Sequence, residues 1–272
     1  MFRQNLHQAF QSIRANRLRA IITVLIIALG LTALIGVLTS IDGIKYSMRE
    51  SFSTLGANTF LIENRSSQVR AGSGRVRSKP NPEITFRQAK AYKAMQDRYT
   101  VSLKQRVSGQ ARARFRSKTT HNNLTLKASD ENFLQTEAYQ VHAGRPLSTP
   151  DVDEGRRVIL LGWHIKQELF PFTQAVGKQV FVGKEPFRVV GVLKERGTTF
   201  GSRGDKVLII PITTARQVYG LDGSVQIASI VEQAENLPPA MTTSQGLFRR
   251  VRDLKPGEPD NFALVVAGSF VE

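Results

Sequence analysis

Apolar residues are spread unevenly along this chain. Ala20 to Ile41 reads AIITVLIIALGLTALIGVLTSI, 22 residues without a charge. As an α-helix this stretch is about 33 Å long, enough to cross a hydrocarbon core of about 30 Å. Thr23, Gly30, Thr32, Gly36 and Thr39 break its Ile/Leu/Val surface with small side chains, which let helices approach closely in lipid. Upstream, Phe2, Leu6, Phe10 and Ile13 recur at spacings of four, four and three, with Gln4, His7, Gln8, Gln11 and Arg14 on the other sides. That period predicts an amphipathic helix over residues 1–19. Its apolar stripe suits either the inner membrane surface or a docked partner protein, and periodicity does not choose between them.

Beyond the apolar block, Ile44, Met48, Phe52 and Leu55 continue a helical rhythm that Gly56 is expected to cap. Residues 58–62 then read as a strand. Residues 65–82, RSSQVRAGSGRVRSKPNP, have loop composition. A helix is predicted from Glu83 to Arg98, with Thr85 capping it. Arg112, Arg114 and Arg116 alternate with Ala113 and Phe115, a period-two pattern with charge on one face. Leu124, Leu126 and Ala128 continue it after a His121-Asn122-Asn123 turn.

A second block is predicted as a strand at 157–161, a helix at 163–170 and a hairpin from Val180 to Leu193 turning at Gly183. Residues 197–205 form a loop. A strand follows to Pro211, then a short helix started by Thr213 or Thr214, a strand at 225–231, a helix opened by Pro238-Pro239 and a last strand at 260–266. The expected fold is α+β: one transmembrane helix over 20–41, then two small subdomains across 42–272, with about 130–222 as a β-rich insertion.

Charge sets the orientation. Arg3, Arg14, Arg17 and Arg19 precede the apolar block without an acidic residue, whereas Asp42, Lys45, Arg49 and Glu50 cancel after it. The positive-inside rule then places the N-terminus in the cytoplasm. Three features favour an uncleaved anchor over a cleaved signal peptide. The block exceeds the roughly 7–15 residues of a signal core, the tail before it is long and patterned, and residues 36–40 lack a small-x-small cleavage site.

The formal net charge is +16, and residues 65–118 hold fifteen Lys and Arg against Glu83 and Asp97. Such a balance points to an anionic partner. Nucleic acid is disfavoured, because the few aromatics among these cations form no recognisable module. The chain has no cysteine, which excludes disulfides and thiolate chemistry.

Catalytic chemistry is not evident. Gly177-Lys178 fails as a phosphate loop, since Phe172 stands where its first Gly is required and Gln179 where Ser or Thr must follow the Lys. His7, His121, His142 and His164 lack metal-ligand spacing, and no G-x-S-x-G elbow occurs. Asp151, Asp153 and Glu154 form a small acidic run suited to capping a turn or binding a cation weakly, and read best as solvated turn residues. No cofactor is expected, and the chain is read as a non-enzyme.

The order of short motifs resembles the MacB/FtsX-type ABC transporter permeases. The similar pieces are Ser12-Ile13-Arg14-Ala15-Asn16-Arg17-Leu18-Arg19, Thr23 within the apolar helix, and Leu55-Gly56-Ala57-Asn58 after it. Ala143-Gly144-Arg145-Pro146-Leu147, the strand ending in Gly162, Leu169-Phe170, Val176-Gly177-Lys178, the strand carrying Gly191 and the strand ending in Pro211 follow in the family's order. The resemblance implies a periplasmic core domain and a permease subunit that transmits ATP-driven motion to the periplasm, called mechanotransmission. The implied partners are a cytoplasmic ABC ATPase subunit, a second permease copy or paralogue, membrane lipid and a periplasmic protein. It places the chain in the bacterial inner membrane, with the amphipathic tail near the ATPase. Family members carry three further spanning helices after the periplasmic domain, so a chain stopping at Glu272 is expected to be a fragment or truncated product. The alternative is a single-span envelope binding or regulatory protein that uses its basic surface. No residue selects a substrate.

Overall fold

The computed structural model describes residues 17–53, 58–64, 81–196 and 205–267. The chain divides into two compact units, residues 1–53 and 54–272.

The first unit contributes α1 (Arg17–Ser53), a helix of 37 residues. Within it Arg17–Gly43 is long and apolar enough to cross a membrane. Four hydroxyls of this stretch need no outside partner. Thr23, Thr32, Thr39 and Ser40 each donate to the carbonyl four residues earlier, at 2.7–2.9 Å, which satisfies these polar groups inside the helix itself. At 3.6 residues per turn, Thr32, Gly36, Thr39 and Gly43 fall on one stripe within about 60°, with Gly30 nearly opposite.

The second unit is a mixed sheet with helices on its faces. Its strands are β1 (Thr59–Glu63), β2 (Thr100–Ala111), β3 (Ala113–Phe115), β4 (Lys118–Thr119), β5 (Leu124–Ser129), β6 (Val141–Gly144), β7 (Val158–Leu161), β8 (Gln179–Val182), β9 (Glu185–Leu193), β10 (Val207–Pro211), β11 (Gln226–Ile230) and β12 (Ala263–Val266). The helices are α2 (Phe86–Met95), α3 (Phe133–Thr136), α4 (Thr149–Asp153), α5 (Trp163–Leu169), α6 (Ile212–Tyr219) and α7 (Leu237–Val251). Among the described residues the strand order is β12-β1-β11-β2-β5-β10-β7-β9-β8-β3-β4, with β6 joining β9. β5 with β10 and β7 with β9 are parallel, and the other pairs are antiparallel.

This path nearly closes on itself. Only Arg112 separates the end of β2 from β3, and β3 pairs with β8. The route β2-β5-β10-β7-β9-β8-β3 therefore returns to its own starting strand. The enclosed face holds Leu124, Leu126, Ile159, Leu161, Val180, Phe187 and Leu208 in the main core. β7 and β10 are buried on both faces, as their unbroken apolar sequences predict. Their other face, with Val158, Leu160, Val207 and Ile209, packs with Phe133, Tyr139, Leu147, Val190 and Leu193 in a second core.

The remaining strands rest on α2 and α7. Phe60 and Ile62 of β1, Val101 and Leu103 of β2, and Ile227 of β11 meet Ala89, Tyr92, Ala240 and Phe248, with the Tyr92 and Phe248 rings edge to face at 5.7 Å. Each fully buried ring or Ile contributes about 1.5–3 kcal/mol. Thr85 caps α2 as its sequence predicts, with a reciprocal bond to Gln88. Asp130 ties this layer together, accepting from Lys93 Nζ at 2.6 Å, Ser102 Oγ at 2.7 Å and the Leu103 N–H at 2.9 Å.

Two local expectations need correction. α6 starts at Ile212 directly after Pro211, and neither Thr213 nor Thr214 caps it. Their hydroxyls donate instead to the carbonyls of Val152 and Arg156. Asp151 is not a solvated turn residue. Its side chain is 0% exposed, because Ser148-Thr149-Pro150-Asp151 forms a capping box at the start of α4.

Candidate functional site

The motif glycines mark places where backbones approach closely. Gly144 ends β6 at φ +84°, and a Cβ there would lie 2.3 Å from the Val190 carbonyl oxygen. Gly191, opposite it on β9, would meet the Arg145 carbonyl at 2.5 Å, and Gly162 the Asp205 carbonyl at 2.3 Å. Gly177 has φ +83° but open space around it. Its N–H donates to Val189 O at 2.8 Å, and Lys178 O accepts from Val189 N at 2.8 Å. The Gly177-Lys178 turn thus joins the edge of β9.

Arg145 follows Gly144 and turns onto α4. Its guanidinium donates to Asp151 Oδ2 at 2.5 Å and Oδ1 at 3.1 Å. The Ser148 N–H and Oγ also donate to Asp151, at 3.0 and 2.8 Å. Burial alone would raise the Asp151 pKa, but the Arg145 and Ser148 hydrogen bonds hold it down to about 2. Arg156 lies 3.7 Å away on the other side. This corner opens into a cavity of about 450 Å³ whose lining includes Arg145, Arg156 and Arg188 beside Val158, Val176 and Val189.

A second cavity of about 380 Å³ lies over the polar face of β2, β5 and β11. Lys104 and Lys127 both pair with Glu137 there, the latter at 3.3 Å. Burial pushes Glu137 upward, yet the two ammonium groups bring its pKa down to about 2. Gln226 donates to Glu63 at 2.6 Å. Arg196 donates to the Glu137 carbonyl and lies over the Tyr139 ring at 3.8 Å. These charges are matched to one another. None forms a nucleophile–base pair, and no metal-binding cluster occurs among the described residues.

The structure therefore gathers Gly144, Arg145, Gly177 and Gly191 at one corner, while Gly162 follows β7 and Pro211 ends β10, at opposite ends of that antiparallel pair. Lys178 has no ion pair among the described residues. Asn58 donates to the Glu232 carbonyl at 3.2 Å. Thr23, Gly30, Thr32, Gly36 and Ile41 line α1, whose first turns carry Arg17 and Arg19. Phe2, Leu6, Phe10, Ile13, Asn16, Leu55 and Gly56 lie outside the described residues, as does most of the loop at 197–205. The sequence reading missed Asp151 and Glu137, although the S-x-x-D spacing at 148–151 was a signal for the first.

A helix long and apolar enough to cross a membrane and an α+β domain with glycine corners and buried ion pairs define a membrane-anchored α+β protein. Within that class the chain belongs to the MacB-like periplasmic core domain family, whose model matches residues 20–242. The macrolide export ATP-binding/permease protein MacB of Chlorobaculum tepidum is 27% identical over 263 residues, covering 94% of this chain and 39% of the relative. The uncharacterized ABC transporter permease YvrN of Bacillus subtilis is 24% identical over 253 residues, covering 91% and 61%. The chain thus spans about two fifths of the MacB relative's length. In fold it is similar to the crystal structure of the periplasmic region of MacB from Actinobacillus actinomycetemcomitans, with TM-score 0.61, 22% identity, and coverage of 80% of this chain and 92% of that one. It is also similar to the extracellular domain of the noncanonic ABC-type transporter YknZ from Gram-positive bacteria, with TM-score 0.58, 19% identity, and coverage of 76% and 100%.

Proposed function

We propose that this chain is a permease subunit of an ABC-type export or mechanotransmission complex, coupling ATP hydrolysis by a cytoplasmic partner subunit to work in the periplasm. One observation carries the reading: the family match spans residues 20–242, taking in both the apolar helix and most of the domain. Helix and domain then act as one device. YvrN, whose name gives it as an ABC transporter permease, supports this reading.

In this proposal residues 1–19 lie at the cytoplasmic face, 20–41 cross the inner membrane and 42–272 stand in the periplasm. The arginines before the helix support that orientation. Residues 130–222 form the inserted subdomain, and the second core, drawn wholly from that range, supports it. The Thr32-Gly36-Thr39-Gly43 stripe is the surface for a second permease copy or paralogue. Gly144, Arg145, Gly162, Gly177, Lys178, Gly191 and Pro211 serve the frame rather than a ligand.

Affinity purification from membranes, with the chain in its natural genetic context, tests this reading. An ABC ATPase should copurify, and deleting residues 1–16 should release it. Purification without any ATPase, under conditions that keep the complex of a known permease, would sink the proposal. The second reading, a single-span envelope binding protein, is favoured by Arg112, Arg114 and Arg188, which are exposed and have no carboxylate partner among the described residues. It requires that loss of an ATPase leave the phenotype of the intact chain unchanged.

A further inference from the structure

The face of β3, β8 and β9 turned away from the main core is basic. Pairing aligns Arg114 with Phe181, and Phe181 with Pro186; one step along, Gln179 faces Arg188. The inward neighbours Ala113, Val180, Val182, Phe187 and Val189 are buried, whereas Arg112, Arg114, Gln179 and Arg188 are exposed. Arg112, Arg114 and Arg188 have no carboxylate partner among the described residues. Arg114 lies 4.6 Å from the centre of the Phe181 ring, which holds its guanidinium against the sheet. Arg188 continues the face into the aliphatic cavity of about 450 Å³ that Arg145 and Arg156 also line. The carboxylate among its lining residues is Asp151, which accepts from Arg145 and Ser148, and Arg156 also pairs with Glu154 at 2.8 Å.

We infer that this face docks an extended acidic segment of a partner protein, with carboxylates at alternate positions and an aliphatic side chain between them for the cavity. Three features on this surface select that occupant. Arg112, Arg114 and Arg188 carry planar forks that fit carboxylates bidentately. Arg112 and Arg114 are two residues apart on an extended chain, so they repeat at about 7 Å, the spacing of alternate side chains on a bound strand. The apolar-walled cavity beside Arg188 requires a side chain rather than a head group. Stray cations on a folded domain gain little individually; a register of them next to an unfilled apolar pocket gives a segment both charge and anchorage. The inference deepens the periplasmic-partner element of the proposed function and needs no part of the ATPase coupling.

The test uses the full chain in uncharged detergent and a fluorescein-labelled decapeptide of alternating Glu and Val. A block peptide of the same composition and phosphatidylglycerol vesicles serve as competing probes. The alternating peptide should bind, and the triple variant R112Q/R114Q/R188Q should weaken it by at least about tenfold. The control triple R87Q/K90Q/R98Q, removing the same charge from exposed positions on and beside α2, should change binding less than about twofold. An unchanged melting temperature shows that the first triple is folded. Equal binding of alternating and block peptides, or equal loss in both triples, reduces the face to unspecific charge and overturns the inference. Vesicle binding that depends on Arg112, Arg114 and Arg188 while peptide binding does not also overturns it, in favour of lipid. A failed peptide titration leaves ATPase copurification unaffected, so the two proposals fail separately.

Discussion

Arg145 holds Asp151 through both arms of its guanidinium, at 2.5 and 3.1 Å, so the Gly-Arg turn after β6 is bolted to the first turn of α4. The carboxylate is fully buried while the arginine is about half exposed. Removing the arginine therefore leaves a buried anion supported by Ser148 and by Arg156 at 3.7 Å. Arg145→Met should lower unfolding stability by about 3 kcal/mol, the lower end for breaking a buried pair, because water reaches the guanidinium. Urea denaturation of the full chain in detergent measures it. Arg188→Met, which breaks no ion pair, should shift stability by less than about 0.5 kcal/mol. Equal effects in the two variants would remove Arg145 from its structural role.

Acid should unfold the domain through two carboxylates. Asp151 falls from its ordinary 3.8 to about 2, and Glu137 from 4.5 to about 2. A carboxyl held lower in the folded protein is protonated first in the unfolded chain, so falling pH favours unfolding. The stabilisation from both groups is complete above about pH 5 and is lost progressively as pH falls to about 2. Melting temperature should therefore be flat from neutral pH down to about 5 and then decline. Glu137→Gln should be less stable than the parent at neutral pH and show a shallower acid decline. A parent-like slope in that variant contradicts the Lys104 and Lys127 pairing as the cause.

Gly144 and Gly177 share a left-handed backbone but differ in surroundings, and their alanine variants should separate the two effects. At Gly177 only the backbone penalty applies, about 1–2 kcal/mol. At Gly144 the methyl also meets the Val190 carbonyl at 2.3 Å, so β6 must leave β9. Gly144→Ala should cost at least about 2 kcal/mol more than Gly177→Ala in thermal unfolding. Similar melting temperatures for the two would mean that the β6–β9 contact gives way without cost.

How much of this was legible in the sequence varied with the physics of each element. β10 and the second half of β9, Val189 to Leu193, were visible as apolar runs because they are buried on both faces. Thr85-Phe86-Arg87-Gln88 announced a capped helix through local chemistry alone. β2 was missed because its second half, Arg106 to Ala111, loses alternation at two register shifts on β5. β6 escaped because Val141–Gly144 is too short and too polar for any periodic signal. Asp151 was misread because, beyond the local box with Ser148, it is held by Arg145, six residues upstream, where the chain turns after Gly144. The Arg112 and Arg114 rhythm was plain. Arg188 joins them only through the registers of β3 with β8 and of β8 with β9, which no single-strand pattern contains.

The helix stripe offers a test that does not depend on the domain. Thr32, Gly36, Thr39 and Gly43 alternate at spacings of four, three and four on one side of α1, and the threonine hydroxyls are already bonded to Ala28 O and Ile35 O. Such a stripe offers close backbone approach rather than hydrogen bonds, because the polar groups are spoken for within the helix. Gly36→Leu would hold a neighbouring helix away, and it should reduce self-association in bacterial membranes from several-fold to about tenfold. Gly30→Leu, nearly on the opposite side, adds the same bulk and should leave association near the parent value. Energy transfer between tagged copies at matched expression compares them directly. If Gly30→Leu is as damaging as Gly36→Leu, bulk anywhere on α1 disturbs the helix and the stripe is not a copy-to-copy contact. If neither changes the signal, the neighbour of α1 in the membrane is not another copy of this helix.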